Sequence, residues 1–178
     1  MTAGRHVTSL TKDWNTPAEY VLVVREFFGG WIALDPCSND YALVGAKVEY
    51  KLPKHDGLRE TWDFPTIYVN PPYGRNANGT SIKDWLLRCS NAYEQHESEI
   101  IALIPVATNT RHWQDNVFLR ARSICFLRVP RLKFLLAGKV VEKGAPMSCC
   151  FVYWGRRAPS FRASFTRFGK VLDVNPRI

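Results

Sequence analysis

The sequence predicts an α/β fold in a single domain spanning residues 1–178: a mostly parallel central sheet with an abbreviated first half and a C-terminal antiparallel hairpin. Three observations carry this. Helical spacing of apolar residues in 17–28 and 81–96 alternates with short apolar runs at 31–34, 66–69 and 100–106, the pattern of strands joined by helical crossovers. Only about ten residues separate Asp35 from the run at 47–50, fewer than the dozen or so that a parallel crossover with a helix needs. Beyond residue 123 the pattern turns to closely spaced strand-like runs.

The elements follow in chain order. Thr16 is a good N-cap and Pro17 a good first helical residue, and Tyr20, Val21, Val24, Phe27 and Phe28 recur at helical spacing up to Gly29-Gly30, so a helix is expected over 17–28. Trp31-Ile32-Ala33-Leu34 reads as a buried strand with Asp35 at its carboxyl end, and 39–44 has room for at most a helical turn or two. The β-branched run at 66–69 is a second strand and 74–80 a polar loop. Ile82, Trp85, Leu86, Cys89 and Tyr93 place an amphipathic helix over 81–96, and a central strand follows at 100–106. A helix is expected over 113–122, then strands at 123–128, 133–136, 139–141 and 148–154, with a hairpin turning near Ala137-Gly138. The basic end, 161–178, is expected to pack loosely.

The most informative residues are Asn70-Pro71-Pro72-Tyr73, directly after the strand at 66–69. Two prolines remove two N–H donors and fix both φ angles, so the carbonyls of Asn70 and Pro71 are held stiffly as acceptors. An exocyclic amino group is a poor nucleophile because its lone pair is delocalised into the ring. If the Asn70 side-chain oxygen and the Pro71 carbonyl each accept one of its N–H groups, the nitrogen moves toward tetrahedral geometry and the lone pair becomes available. Tyr73 offers a flat surface for stacking, worth roughly 1–3 kcal/mol per base. The carboxyl end of a sheet strand is also where α/β folds bind ligands.

Composition sets limits. With 178 residues, 46% apolar, the chain can bury a full core but has no room for a separate target-recognition domain. No apolar run reaches the ~18–20 residues of a membrane span, and the first twelve residues lack the apolar stretch of a signal peptide. A cytoplasmic protein is expected, with no membrane partner. Five cysteines form no Cys-x-x-Cys pair and four histidines show no ligand spacing, so free thiols and no metal are expected. No cysteine is placed near the tetrad as a nucleophile. The net charge of +8 points to a polyanionic partner.

The tetrad with its flanks resembles the catalytic motif of S-adenosylmethionine-dependent amino-methyltransferases. More of the chain agrees, in order: Trp14-x-Thr16-Pro17, Leu34-Asp35-Pro36-Cys37-Ser38-Asn39, Asp56-Gly57-Leu58-x-x-x-Trp62, the tetrad, and Leu103-Ile104-Pro105. This is similar to the small phage-encoded DNA N-6-adenine-methyltransferase (Dam-like) family, over roughly residues 14 to 155. The resemblance implies a Rossmann-like methyltransferase fold, S-adenosyl-L-methionine as cofactor and double-stranded DNA as partner, in a monomer or weak dimer. It implies catalytic roles for Asn70, Pro71, Pro72 and Tyr73. It gives Asp35 the methionine end of the cofactor and Asp56 the cofactor adenine, and it places Thr16 and Pro17 beside the methionine moiety.

The departures from the pattern leave alternatives open. The broader group follows the strand-end acid with glycines, and Pro36-Cys37-Ser38-Asn39 contains none; Ser38 and Asn39 either hydrogen-bond the cofactor or cap the following turn. Asp56-Gly57 has an ordinary turn as its alternative reading, with the ligand role favoured. Glu49 and Asp40 are both available for the cofactor ribose. A base inside a duplex must be flipped out to react, with Arg75, Lys83, Arg111, Arg131, Lys133, Lys139 and Lys143 as candidates for the phosphate backbone. The tetrad equally allows methylation of RNA or protein glutamine, the glycine-poor cofactor segment suggests an inactive nucleic-acid-binding relic as a third reading, and the biological role, restriction evasion or another, stays open.

Overall fold

Alternating apolar side chains on two adjacent central strands bury both faces of one sheet. On β4 (Thr66–Val69) Ile67 and Val69 face one way and Tyr68 the other, and on β5 (Glu99–Pro105) Ile100, Ala102 and Ile104 oppose Ile101 and Leu103. A strand covered on both faces reads as a continuous apolar run, which is why these two were legible. The computed structural model describes residues 14–74, 79–129, 131–141, 144–145 and 147–175. Arg75 and Lys143 lie outside the described residues.

The chain begins with the short β1 (Trp14–Asn15) and α1 (Ala18–Phe27), followed by β2 (Leu34–Asp35), β3 (Val48–Glu49) and β4. After α2 (Ile82–His96) and β5, a turn of helix α3 (Arg111–Trp113) widens into a π-helical stretch, Gln114–Phe118. β6 (Ser123–Leu127), β7 (Leu135–Leu136), β8 (Lys139–Val140), β9 (Cys149–Trp154), α4 (Ala158–Phe165) and β10 (Gly169–Asp173) complete it. The seven-stranded sheet has the order β10-β6-β9-β5-β4-β2-β3. From β3 to β5 neighbouring strands run parallel, and β9, β6 and β10 are joined antiparallel. Helices α1 and α4 cover the face carrying Tyr68 and Phe151, and α2 with Trp113 and Val117 covers the other. The result is a mixed α/β fold built on one large mixed sheet. Among the described residues no helix is long and apolar enough to cross a membrane.

The first half of the sheet is abbreviated as expected: residues 39–44 make a turn, closed by the Ala42 N–H on the Asn39 carbonyl, and β3 pairs directly with β2. The β7–β8 hairpin turns at Ala137 and Gly138, both at positive φ, the geometry of a tight two-residue hairpin. Its outer neighbour was not foreseen: β7 pairs antiparallel with β1, Trp14 opposite Leu136, in a separate three-stranded sheet.

Three sequence expectations are corrected. Thr16 does not cap α1: Pro17 holds the cap position and no side chain caps it. The Thr16 hydroxyl turns inward instead, to the Tyr68 hydroxyl at 2.7 Å. The helix expected over 113–122 starts earlier, at Arg111, and its regular part gives way to the π-helical stretch ending at Phe118. The C-terminal region does not pack loosely. Phe161 and Phe165, one helical turn apart on α4, are fully buried, and Phe161 stacks on Tyr153 with ring centroids 5.0 Å apart. β10 then adds a strand beside β6.

Candidate functional site

The chain leaves β2 for β3 on one side and later returns to β4 on the other, so the connections diverge between two strands that pair in parallel, Leu34 opposite Ile67. Such a switch point opens a crevice at the carboxyl ends of the strands. Asp35 closes β2, and Asn70 follows β4 directly. Both side chains line one cleft there, with Asn15, Thr16, Cys37 and Val44 among its other walls. Sequence reasoning placed Asp35, Asn70 and Thr16 at a site; it missed Asn15, Cys37 and Val44.

Asp35 is 4% exposed, and its Oδ1 accepts the backbone N–H of Cys37 at 3.1 Å. Burial raises its carboxyl to about 7; the Cys37 N–H opposes that rise and nearby Glu49 adds to it. Across the ladder Glu49 is held by Lys51 at 3.1 Å, and Lys51 also lies 3.8 Å from Asp40. The two carboxylates considered for a ribose thus share one lysine.

Cys37 stands between the two halves of the site. Its thiol bonds the Asp35 carboxylate and receives the backbone N–H of Asn70. A cysteine thus lies against the tetrad, through the backbone of Asn70. Burial and the Asp35 charge push its thiol well above the ordinary range, so it stays protonated and is not poised for attack. All five cysteines are free. Among the described residues no group of His, Cys, Asp and Glu could hold a metal ion.

Within the tetrad, Pro71 is buried, Pro72 exposed, and Asn70 and Tyr73 partly exposed. Tyr73 is anchored rather than laid open: its hydroxyl donates to the Leu103 carbonyl at 3.1 Å, and its ring meets Phe134 edge-on at 5.8 Å. Phe134 in turn meets Trp14, centroids 6.4 Å apart. This aromatic series links the tetrad to Trp14, 37% exposed at the cleft wall.

The remaining residues singled out from sequence stand around this core. Ser38 is buried, its N–H on the Tyr50 carbonyl, and the Asn39 side chain accepts the Tyr41 N–H at 2.9 Å, capping the turn. Pro17 holds the cap position of α1, next to Thr16. Asp56 lines a different cleft, with Arg59, Asp84 and Arg88, and its Oδ1 accepts the Leu58 N–H at 3.1 Å. Next to it Gly57 lies so close to the Pro36 carbonyl that a Cβ would come within 1.7 Å of the oxygen. A close backbone approach to the segment after Asp35 is thus made by a glycine 21 positions after Pro36, on another loop.

No curated protein and no solved structure matches this chain. The family described as DNA N-6-adenine-methyltransferase (Dam) matches residues 5–171. With nearly its whole length matched, the chain belongs to that family of DNA adenine N6-methyltransferases.

Proposed function

We propose that the chain transfers a methyl group from S-adenosylmethionine to the exocyclic N6 of an adenine flipped out of duplex DNA, with short or relaxed sequence specificity. The observation that carries this reading is the convergence of Asp35 and Asn70 on one cleft at the switch point of the sheet. Strand order β3-β2-β4-β5 with a switch between β2 and β4 supports a Rossmann-like architecture. When bound, S-adenosylmethionine supplies a methyl on a positively charged sulfonium. The residues suit such a ligand: Asp35 is a buried carboxylate whose desolvation outweighs the help it receives from Cys37 and Lys51, so a cation in the cleft stabilises it.

In this reading Asp35 and Thr16, with Pro17, hold the methionine end, and Ser38 and Asn39 shape the turn that closes beside it. Asp56 contributes through the Asp56-Gly57 loop packed on Pro36. Among the described residues none takes the Asn70 side-chain amide, which suits it to receive one N–H of the target amine. Pro71 offers a fixed carbonyl for the other, and Pro72 and Tyr73 hold the turn rigid. Direct transfer needs an in-line approach and a positioned amine, with no covalent intermediate on the enzyme.

The test is transfer of labelled methyl to unmethylated duplex DNA, followed by digestion to nucleosides. Label in 6-methyladenine is the expected result. Label appearing only in RNA or in protein glutamine, or no transfer together with no cofactor binding, overturns the proposal.

A further inference from the structure

Between Asp115 and Asp173 the sequence carries twelve Lys or Arg residues and one acidic residue, Glu142. The fold sorts these cations by the end of the sheet on which they stand. At the amino ends of β5 and β6, charges are matched: Arg156 pairs with Glu97, Arg157 with Glu99, and Arg162 with Asp173, while Arg120 meets Glu94 at the end of α2. At the carboxyl ends the situation is reversed. Arg128, Arg131, Lys133, Lys139, Arg167 and Lys170 are exposed, and none makes an ion pair with a described carboxylate.

The path of the chain aligns these six. It leaves β6 at Leu127, and by Leu135–Leu136 it is paired with Trp14 and Asn15 at the cleft wall. The connecting strap therefore runs across the carboxyl edge of the sheet. Along it Leu132 and Phe134 are buried in the core beside Tyr68 and Leu103, while the alternating Arg131 and Lys133 face outward. The Arg128 N–H on the Phe168 carbonyl joins the strap to the turn bearing Arg167, and Lys170 opposes Phe126 on the edge strand. Ladder registers put these residues at the level of the tetrad: Val69 pairs with Ala102, Pro105 with Cys149, and Cys150 with Phe126. From β4 to β6 is three strand spacings, roughly 14 Å.

We propose that this strip, from Lys139 beside the cleft through Arg131 and Lys133 to Arg128, Arg167 and Lys170 at the sheet edge, is the surface that binds the phosphate backbone of the DNA duplex. It rests on the reading of the chain as an enzyme acting on DNA. Arg128, Arg167 and Lys170 are the new members, on the far side of the sheet from Asp35, and they extend the hold on the duplex to the sheet edge. Phosphate contacts of this kind fix orientation and carry no sequence information, which agrees with short or relaxed specificity.

The test is binding of a short unmethylated duplex across a salt series, with Arg128→Gln/Arg167→Gln/Lys170→Gln set against wild type. Each lost phosphate contact lowers the slope of log affinity on log salt by about 0.9. The triple variant is expected to lose roughly 2–3 units of slope and at least about tenfold in affinity, with binding of S-adenosylhomocysteine and melting temperature unchanged. Arg156→Gln/Arg162→Gln, at the opposite end, is expected to keep the wild-type slope. Equal slopes in wild type and triple variant, or an equal loss in the control pair, overturn the surface while leaving the function standing. A wild-type chain that binds no duplex overturns both.

Discussion

The hydroxyl of Tyr68 and Oγ1 of Thr16 meet at 2.7 Å, both buried, across 52 positions of sequence. This bond fixes the segment before α1, and with it Thr16 and Asn15, to the central strand β4 whose end carries Asn70. One wall of the cleft is thereby positioned by the strand that supplies the other. Tyr68→Phe removes the partner of a buried hydroxyl, a change worth about 1–3 kcal/mol. Denaturant unfolding is expected to show that loss, and calorimetry a weaker affinity for S-adenosylmethionine. A variant with reduced stability but wild-type affinity contradicts the positioning role.

Phe161→Ala tests the C-terminal packing. Phe161 is fully buried, stacked on Tyr153 at 5.0 Å and on Phe165 at 4.3 Å. Truncating a large buried aromatic costs about 3–5 kcal/mol. A comparable drop in unfolding free energy is expected, and a drop below about 1 kcal/mol, the scale of a surface substitution, is incompatible with this helix being part of the core.

What was legible in the sequence was local. The runs at 66–69 and 100–106 announced central strands because both faces are apolar, and the tetrad stood out because Pro-Pro has few readings. Thr16-Pro17 before an apolar helix carries the same signal whether Thr16 caps or turns inward; a distant hydroxyl decided it. The pairing of β1 with β7 joins two-residue strands about 120 positions apart, with no periodicity to reveal it. Phe161 and Phe165 do show helical spacing, but exposed Arg162 and Arg167 around them made the segment read as a basic tail. Gly57 was visible only as half of an Asp-Gly turn; that it packs on Pro36 is a tertiary fact.

Asp35 predicts a pH dependence. Its carboxyl lies near 7 in the fold and near the ordinary ~3.9 when unfolded. Between those values the folded state binds the extra proton, so this group's contribution to stability is present below about pH 4 and is lost as pH rises through 7. Asp35→Asn is therefore expected to melt higher than wild type at pH 8, with the gap closing toward pH 5. Cofactor affinity has the opposite sign. A cationic ligand favours the carboxylate, so wild-type affinity is expected to rise up to tenfold per pH unit below 7 and level off above it. Affinity that is flat from pH 5.5 to 8.5, or unaffected by Asp35→Asn, excludes Asp35 as the group facing the cation.

The tetrad predicts a separation of roles between its first and last residues. Asn70 has a side-chain amide engaged by no described residue, so Asn70→Ala is expected to leave the fold and cofactor affinity near wild type. It should cut kcat by at least 10²–10³, about the cost of removing one preorganised polar group from a transition state. Tyr73 is tied twice, by its hydroxyl to Leu103 and by its ring, in a T-shaped contact, to Phe134. Tyr73→Phe keeps the ring and loses the anchor, a hydrogen bond worth about 1 kcal/mol, so kcat should fall only several-fold. Tyr73→Ala loses both, and kcat is expected to fall much further, with KM for DNA raised as well. If Tyr73→Phe is as inactive as Tyr73→Ala, the hydroxyl does more than hold the turn. If Tyr73→Ala keeps near-wild-type activity, the target base stacks elsewhere, and exposed Trp14 at the cleft wall becomes the aromatic to test.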